Sequence, residues 1–335
     1  MPCPDSSSST TFSTVPMRST VPTHRSSCPS ETASQNPARG YRGHEQHDVP
    51  EGKPAGPMPP ASLSDAGADS TVRLVSLNIA SGRTGDGTVS LARTGHDLAQ
   101  LAPDVVAVQE VDRLLDRSGR ADQAAELAAA CRAPGQPAWS ALFAAAVHGS
   151  PGPGAGSRPA PATLGAEPSY GVGLLTHLPV LATHELRMAA ARGRLPIALP
   201  PGTRPRVWFM PDEQRVALAA VLDGPRGPLT VVSTHLSFAP PRAARQLRQI
   251  RHWAQDLPRP LVLLGDLNLV GSWPARLTRW RPMVKGRTFP ASGPRAQLDH
   301  VLADGPVRPA GRADVVEVGA GDHLGLVVDV MPFRG

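Results

Sequence analysis

Short apolar runs interrupted by polar positions recur from residue 71 onward, and this pattern predicts a series of β-strands. TVRLVSLNIA places Val72 and Leu74 on one face and Arg73 and Val75 on the other, as expected for a strand that ends at Asn78. Further strand-like runs are DVVAVQEVD, YGVGLLT, residues 180–186, RVALAAVL, LTVVSTHL, LVLLGDLNL, QLDHVLA, ADVVEV and LGLVVDV. The DGPRGP step between RVALAAVL and LTVVSTHL predicts a hairpin, because Asp-Gly and Gly-Pro steps favour turns.

Three segments have the spacing of helices instead. Residues 90–101 place leucines at helical intervals and end before Pro103. Residues 121–132 are rich in alanine, which is the strongest helix former. In residues 241–256 the large apolar side chains share one face and the arginines the other, so an amphipathic helix is predicted there.

Other segments lack any such periodicity. Residues 1–70 are dense in Ser, Thr, Pro and Gly and cannot bury enough apolar surface to order themselves, so we predict a disordered tail. The folded domain is then 71–335, and within it residues 149–168 are predicted to form a flexible, exposed insert. Residues 192–212 form a Pro/Arg-rich connection that is either a substrate-facing loop or an ordinary surface loop.

Composition narrows the class of protein. A chain of 335 residues is long enough to bury a hydrophobic core that needs no disulfide or structural metal to be stable. The three cysteines, Cys3, Cys28 and Cys131, have neither disulfide-framework nor zinc-site spacing. With no apolar secretory segment and no uninterrupted apolar run of about 18 residues, we expect a soluble, cytoplasmic, monomeric protein without a transmembrane segment.

Arginine supplies nearly all of the positive charge. The net charge is +6, and residues 71–335 carry +8 because the first 70 residues hold five Lys/Arg and seven Asp/Glu. Arginine suits bidentate phosphate recognition, so the charge is consistent with a phosphate-bearing substrate. The alternative is a genome-wide bias toward Arg, Ala, Pro and Gly. Charge does not choose between nucleic acid and a smaller phosphate ester.

The stretch LVLLGDLNL, residues 261–269, carries the first candidate chemistry. Residues i and i+2 of a strand share a face, so Asp266 and Asn268 point the same way if the strand continues that far. Sheets of α/β proteins place their chemistry at such carboxyl ends. The alternative is a buried strand that ends in an Asx turn, since Asp and Asn favour turns.

Six strand-like runs end in or flank groups that can bind a metal or move a proton. These groups are Asn78, Glu110, His235, Asp266 with Asn268, Asp299 with His300, and Asp322 with His323. Each has an ordinary alternative as a turn former, a solvated strand end, a core histidine or a loop residue. Their recurrence at the ends of strands favours one shared site over six separate coincidences.

The ordered motifs resemble the endonuclease/exonuclease/phosphatase superfamily of metal-dependent phosphoesterases over residues 71–333. They are LVSLNIA, DVVAVQEVD, GVGLLTHLPV, EQRVALAAVL, VVSTHLS, LVLLGDLNL, LDHVLA and GDHLGLVVDV. The resemblance implies a four-layer α/β sandwich, in which two mixed β-sheets pack face to face with helices outside. It also implies an active site at one edge of the sandwich.

The resemblance implies a role for each candidate. Glu110 would be the principal ligand of Mg²⁺ or Mn²⁺, supported by Asn78 and Asp322. Asp266 or His323 would activate the attacking water, and Asp299 would fix the His323 ring. His235 and Asn268 would then contact the phosphate oxygens.

Three departures from the family pattern affect these expectations. Thr176-His177 stands where the family often has a Ser-Arg pair, so a phosphate-binding arginine is missing there; Arg215 either compensates or forms a structural ion pair. The last motif reads GDHLG where SDHRP is common. Phe289, just before LDHVLA, either faces the substrate or is an ordinary surface residue.

Three functions follow from this set. The first is a metal-dependent phosphoesterase that hydrolyses a phosphodiester or phosphomonoester by in-line attack of an activated water. The second is a DNA or RNA nuclease, with nucleic acid as partner, although no long basic helix or aromatic-basic ladder is present. The third is an inactive binding module with the same fold.

Overall fold

The computed structural model of the protein describes residues 70–84, 87–152, 156–163, 165–198 and 207–333. The predicted tail, apart from Ser70, lies outside the described residues. Within them, no helix is both long and apolar enough to cross a membrane.

Strands outnumber helices in the described chain, and the strands described within residues 140–235 follow one another without an intervening helix. The strands are β1 (Val72–Asn78), β2 (Val105–Arg113), β3 (Ser140–His148), β4 (Arg158–Pro159), β5 (Ser169–Thr176), β6 (Val180–Met188), β7 (Arg194–Ala198), β8 (Val207–Pro211), β9 (Arg215–Gly224), β10 (Gly227–His235), β11 (Leu261–Asp266), β12 (Arg281–Pro282), β13 (Asp299–Asp304), β14 (Val307–Val316) and β15 (Gly325–Pro332). The α-helices are α1 (Ala92–Leu101), α2 (Gln123–Cys131), α3 (Pro240–Trp253) and α4 (Trp273–Thr278).

Two mixed sheets contain most of these strands. One has seven strands in the order β14-β15-β1-β2-β5-β3-β4, and the other has six in the order β12-β13-β11-β10-β9-β6. Each sheet has one parallel pair near its centre, β1 with β2 and β10 with β11, and antiparallel neighbours around it. Because parallel strands end at the same edge, the carboxyl ends of the strands in each pair lie side by side.

The period-2 pattern of the strands explains the layers. In β1, Val72 and Leu74 belong to the core between the two sheets, whereas Val75 and Leu77 pack on the outer side of the seven-stranded sheet. Burying a leucine such as Leu74, which has no exposed surface, stabilises the fold by about 1.5–3 kcal/mol relative to leaving it in water.

The helices cover the outer faces. Leu98 of α1 and Leu127 of α2 pack against the outer side of the seven-stranded sheet. Leu247 and Ile250 of α3 pack against the outer side of the six-stranded sheet. The layers are therefore helix, sheet, sheet and helix, and the predicted four-layer α/β sandwich is confirmed.

The predicted elements recur with small shifts, and the elements that were not predicted include helix α4 and strands β3, β4 and β12. The three predicted helices correspond to α1, α2 and α3, and RVALAAVL and LTVVSTHL form the antiparallel pair β9 and β10. Strand β3 was missed because SALFAAAVH does not alternate between apolar and polar residues. The connection 192–212 contains the paired strands β7 and β8 and so is not simply a loop.

The predicted insert, residues 149–168, contacts the rest of the fold at several of its described residues. Strand β4 pairs with the end of β3, and Ala160 is only 3% exposed. The Ala160 carbonyl accepts hydrogen bonds from Arg187 Nη1 at 3.0 Å and Gln214 Nε2 at 2.8 Å. Exposure is therefore not uniform across the segment, and its flexibility stays a prediction.

Candidate functional site

The two sheets bring their polar strand ends together at one edge of the sandwich. Asn78 ends β1 in one sheet, and His235 and Asp266 end β10 and β11 in register in the other. The Asn78 Nδ2 atom donates a hydrogen bond to Asp266 Oδ2 at 3.2 Å. This contact joins residues 188 positions apart and ties the two sheets at the edge where the site lies.

Glu110 enters this edge through a β-bulge. The register of β2 on β5 shifts between Gln109 and Val111, and Glu110 has a φ of +57°. A left-handed conformation is uncommon for a residue with a Cβ atom, and a bulge can re-aim a side chain. Here Glu110 Oε1 accepts a hydrogen bond from Asn78 Nδ2 at 3.0 Å.

Asp266 is the centre of the hydrogen-bond network. Its Oδ1 atom accepts from the Asn268 backbone N–H at 3.0 Å. Its Oδ2 atom lies 3.5 Å from His235 Nε2 and 3.8 Å from His323 Nε2. Gly265 allows this arrangement, since a Cβ atom there would lie 1.9 Å from the Thr234 carbonyl oxygen.

His235 and Asn268 form one side of the site. Asn268 Nδ2 donates to His235 Nε2 at 3.3 Å and to the Leu236 carbonyl at 3.1 Å. Burial, with the positive charges of Arg215 and His323, lowers the pKa of His235 well below its usual value. His235 is therefore a neutral imidazole at pH 7.

His323 and Asp299 form the opposite side. His323 Nδ1 lies 2.9 Å from Asp299 Oδ2, and both side chains are buried. Burial lowers the pKa of His323, but the Asp299 hydrogen bond and the neighbouring carboxylates outweigh it and raise the pKa to about 9. Burial, reinforced by the charge of Asp299, raises the pKa of Asp266 to about 7.

The sequence from residue 75 to residue 323 matches the model of the Endonuclease/Exonuclease/phosphatase family. The chain belongs to this family. Its members are mostly metal-dependent hydrolases that act on phosphate esters. The matched residues include every strand end described above, so the family match and the geometry concern the same edge.

Solved structures of the endonuclease/exonuclease/phosphatase family share the fold at low identity. A member from Beutenbergia cavernae is 22% identical, with a TM-score of 0.53 over 78% of this chain and 72% of that one. A member from Bacteroides vulgatus is 16% identical, with a TM-score of 0.53 over 79% of this chain and 100% of that one. A member from Bacteroides thetaiotaomicron is 13% identical, with a TM-score of 0.54 over 79% of this chain and 99% of that one. No curated protein matches with significant sequence similarity.

Most of the side-chain atoms that could bind the metal used by this family are oxygens. Atoms of Asp266, Asp299 and His323 lie within 4.8 Å of one another. Of the three ligands predicted from the sequence, Asn78 and Glu110 meet, whereas Asp322 is exposed. Asp322 is still close enough for its charge to act on Glu110, whose pKa burial raises first and Asp322 raises further.

The excess of acid at this edge suits a hard cation. Carboxylate and amide groups are the ligands that Mg²⁺ and Mn²⁺ prefer. The Oδ1 atom of Asp299 is buried without a hydrogen-bond partner among the described residues, and burial raises the pKa of Glu110, which disfavours its ionised form. A nearby cation would offset both costs, so the residues present fit the metal that the family uses.

Arg215 lies at the same edge. It begins β9 where His235 ends β10, and it is only 8% exposed. Its Nε atom is buried without a hydrogen-bond partner in the described part of the chain. Its positive charge acts on both Glu110 and His235. A buried guanidinium nitrogen without a partner is available to an anion.

Two residues named from the sequence lie elsewhere. His177 pairs with Asp104 at 2.8 Å, at the start of β2 and so at the far end of the sheet. His177 therefore does not contribute to the site at the opposite edge. His300 points away from Asp299, and its Nε2 atom lies 2.7 Å from the Leu269 carbonyl.

Two residues that shape the site, Thr288 and Gly265, were not predicted from the sequence. Thr288 has no exposed surface and contacts the backbone of Asp299 through its hydroxyl. The TFP stretch carries no local signal for this contact, because its partner lies 11 residues away in a different element. Gly265 could have been identified, since a glycine inside a strand often marks a close backbone approach.

Proposed function

We propose that this protein is a Mg²⁺- or Mn²⁺-dependent phosphoesterase that hydrolyses a phosphodiester or phosphomonoester. The supporting observation is the convergence of Glu110, Asp266 and His323, from three separate elements, at one edge of the sandwich. Family membership supports the reaction class. Cytoplasmic location and a monomeric state stay predictions.

Glu110, with Asn78 beside it and Asp322 near it, would hold the cation. When bound, such a cation offsets negative charge on the phosphoryl oxygens and on the leaving group. The Asn78 amide nitrogen faces Glu110 while its oxygen accepts from the Ala80 N–H, so Asn78 orients the carboxylate in this arrangement.

Asp266 and His323 would act on the attacking water and the phosphate. Asp299 holds His323 Nδ1, which leaves Nε2 directed toward Asp266 at 3.8 Å. An imidazolium held in this way donates a hydrogen bond to a phosphoryl oxygen, while the Asp266 carboxylate accepts the proton of the water. His235 and Asn268 lie on the other side of Asp266 and would contact the phosphate oxygens there.

The test is a substrate panel with the full-length protein. Plasmid DNA, an abasic oligonucleotide, sphingomyelin and bis-p-nitrophenyl phosphate are each assayed with Mg²⁺, with Mn²⁺ and with EDTA. We expect cleavage of at least one substrate that EDTA abolishes and added Mg²⁺ restores. Preference for the nucleic acids would favour the nuclease alternative, and cleavage of none would favour the binding module. Cleavage that persists in EDTA would contradict the role of the metal.

A further inference from the structure

One short segment contacts both members of the His323–Asp299 pair. This segment, residues 288–291 (Thr-Phe-Pro-Ala), is called here the Thr288 bracket. It lies between β12 and β13, and Thr288 has no exposed surface. Phe289 and Ala296 exchange two backbone hydrogen bonds of 3.0 Å each. These hydrogen bonds close residues 289–296 into a loop that ends shortly before β13.

The Thr288 side chain holds the strand that carries Asp299. Its Oγ1 atom accepts hydrogen bonds from the backbone N–H groups of Leu298 at 3.2 Å and Asp299 at 3.3 Å. These are the last residue before β13 and its first residue. A single hydroxyl therefore fixes the point at which the Asp299 side chain leaves the strand.

The bracket backbone holds the segment that carries His323. The Leu324 N–H donates to the Thr288 carbonyl at 2.8 Å, and the Ala291 N–H donates to the Asp322 carbonyl at 2.8 Å. These two hydrogen bonds flank His323 on both sides along the chain. Thr288 thus contacts Asp299 through its hydroxyl and the His323 segment through its carbonyl.

The Phe289 ring packs on the His323 ring itself. The ring centroids are 4.8 Å apart and the planes are tilted by 44°. Aromatic contacts at this separation favour particular relative orientations of the two rings. With Asp299 on Nδ1 and Phe289 against the ring, both the rotation and the tilt of the imidazole are restrained.

We propose that Thr288 and Phe289 are positioning residues that set the geometry of the His323–Asp299 pair. This inference rests on the proposed hydrolase function, in which His323 acts on the phosphate. It assigns Phe289 a contact with the catalytic imidazole in place of the two roles that the sequence left open. A displacement of about 1 Å at a reacting group can lower a rate by about 10²-fold, so the bracket has a measurable effect on turnover.

The first test compares Thr288→Val with a matched threonine. Thr278 at the end of α4 is 1% exposed, and its hydroxyl also joins two backbone groups, the Pro274 carbonyl at 2.8 Å and the Trp280 N–H at 3.1 Å. We expect Thr288→Val to lower kcat about tenfold or more with little change in KM. Both Thr288→Val and Thr278→Val should lower Tm, and by similar amounts. In Thr278→Val, however, kcat should stay within twofold of the parent.

Two further variants separate positioning from folding. Thr288→Ser keeps the hydroxyl and should restore kcat to within about threefold of the parent. Phe289→Leu should lower kcat, whereas Phe143→Leu, in the core outside the seven-stranded sheet, should lower Tm alone. Equal kcat values for Thr288→Val and Thr278→Val would overturn the role of Thr288, and an unchanged kcat in Phe289→Leu would overturn that of Phe289.

A second readout needs no substrate. The proton between His323 Nδ1 and Asp299 should give a low-field NMR resonance at low temperature, identified by its loss in Asp299→Asn. We expect this resonance to shift or vanish in Thr288→Val and to persist in Thr278→Val and Thr288→Ser. Its persistence in Thr288→Val would refute the inference even if the parent protein cleaved no substrate. The inference and the proposed function therefore fail on different measurements.

Discussion

Two clusters of ionisable side chains lie near opposite ends of strand β1, and they differ in how their charges are balanced. Arg73, near the start of β1, forms a bidentate pair with Asp329 at 2.6 and 3.1 Å. The Arg73 backbone N–H donates to Asp104, which also pairs with His177 at 2.8 Å. Asn78 at the other end of β1 is five residues on, roughly 16 Å along the strand.

The pKa shifts at the two ends differ in sign. Although burial acts against it, the Arg73 hydrogen bond lowers the pKa of Asp329, so the ionised pair is favoured. At the site edge, burial raises the pKa of Glu110 and that of Asp266, so their ionised forms are disfavoured. One end lowers the free energy of the charged state, and the other raises it.

This difference in charge balance is the one expected between a stabilising cluster and a candidate functional site. Buried charge without a full set of partners costs stability, and such groups are concentrated at binding and catalytic sites. Arg73 and Arg215 show the same contrast, because Arg73 is paired and Arg215 has a buried Nε without a partner among the described residues. Substitutions at the two ends should therefore affect different properties.

The largest expected effect is at the centre of the site. Asp266→Ala and His323→Ala should each lower kcat by about 10²-fold or more, because in the proposed mechanism both groups would act in the transition state. Asp116→Ala, at a carboxylate whose side chain is 87% exposed, serves as the matched control. Steady-state kinetics and circular dichroism check the result, and a loss below tenfold in a folded Asp266→Ala protein would count against the assignment.

A smaller effect on activity is expected at Arg215. Arg215→Met should lower kcat/KM about tenfold or more, since a hydrogen bond between charged partners contributes about 1.5–3 kcal/mol. Its Tm should stay within about 2 °C of the parent, because the Nε atom has no hydrogen-bond partner among the described residues to lose. A clear fall in Tm with unchanged kcat/KM would show instead that Arg215 is a structural residue.

Arg73→Met should give the reverse result. Loss of the partly buried pair should lower stability by about 1–2 kcal/mol, or about 3–6 °C in Tm, with kcat within twofold of the parent. Because the folded pKa of Asp329 is lowered, the pair stabilises above the unfolded pKa of about 3.9 and loses this effect as pH falls through the folded value. Thermal melts at pH 7 and pH 3 check this, and a Tm difference that does not shrink at pH 3 would exclude the pair as its cause.

The smallest effect is expected from the tail. Removal of residues 1–70 should change Tm by less than about 2 °C and leave kcat within twofold, since the segment lacks the apolar periodicity to pack on the domain. Calorimetry of the truncated and full-length chains is the measurement. A marked fall in Tm would show that the tail docks on the domain.

Local patterns were enough to predict most of the strands, three helices and the β9–β10 hairpin. Alternation of apolar residues indicates which face of a strand is buried. The strand around Val72 and Leu74 could therefore be predicted without knowledge of the strands that pair with it. The strand Ser140–His148 could not be predicted in this way. Both of its faces are buried in its second half, so its consecutive alanines do not alternate with polar residues. The candidates Asn78, Glu110, Asp266 and His323 could be named because each follows an apolar run.

Only the folded chain decides which of these candidates meet and how they are oriented. The left-handed φ of Glu110, the 2.9 Å contact of His323 with Asp299 and the position of His177 at the far end depend on sheet register and on a bulge. Register is set by pairing between strands far apart in the chain, and no local periodicity encodes it. Composition and spacing therefore establish the residue types at the site, whereas long-range pairing establishes their geometry and their pKa values.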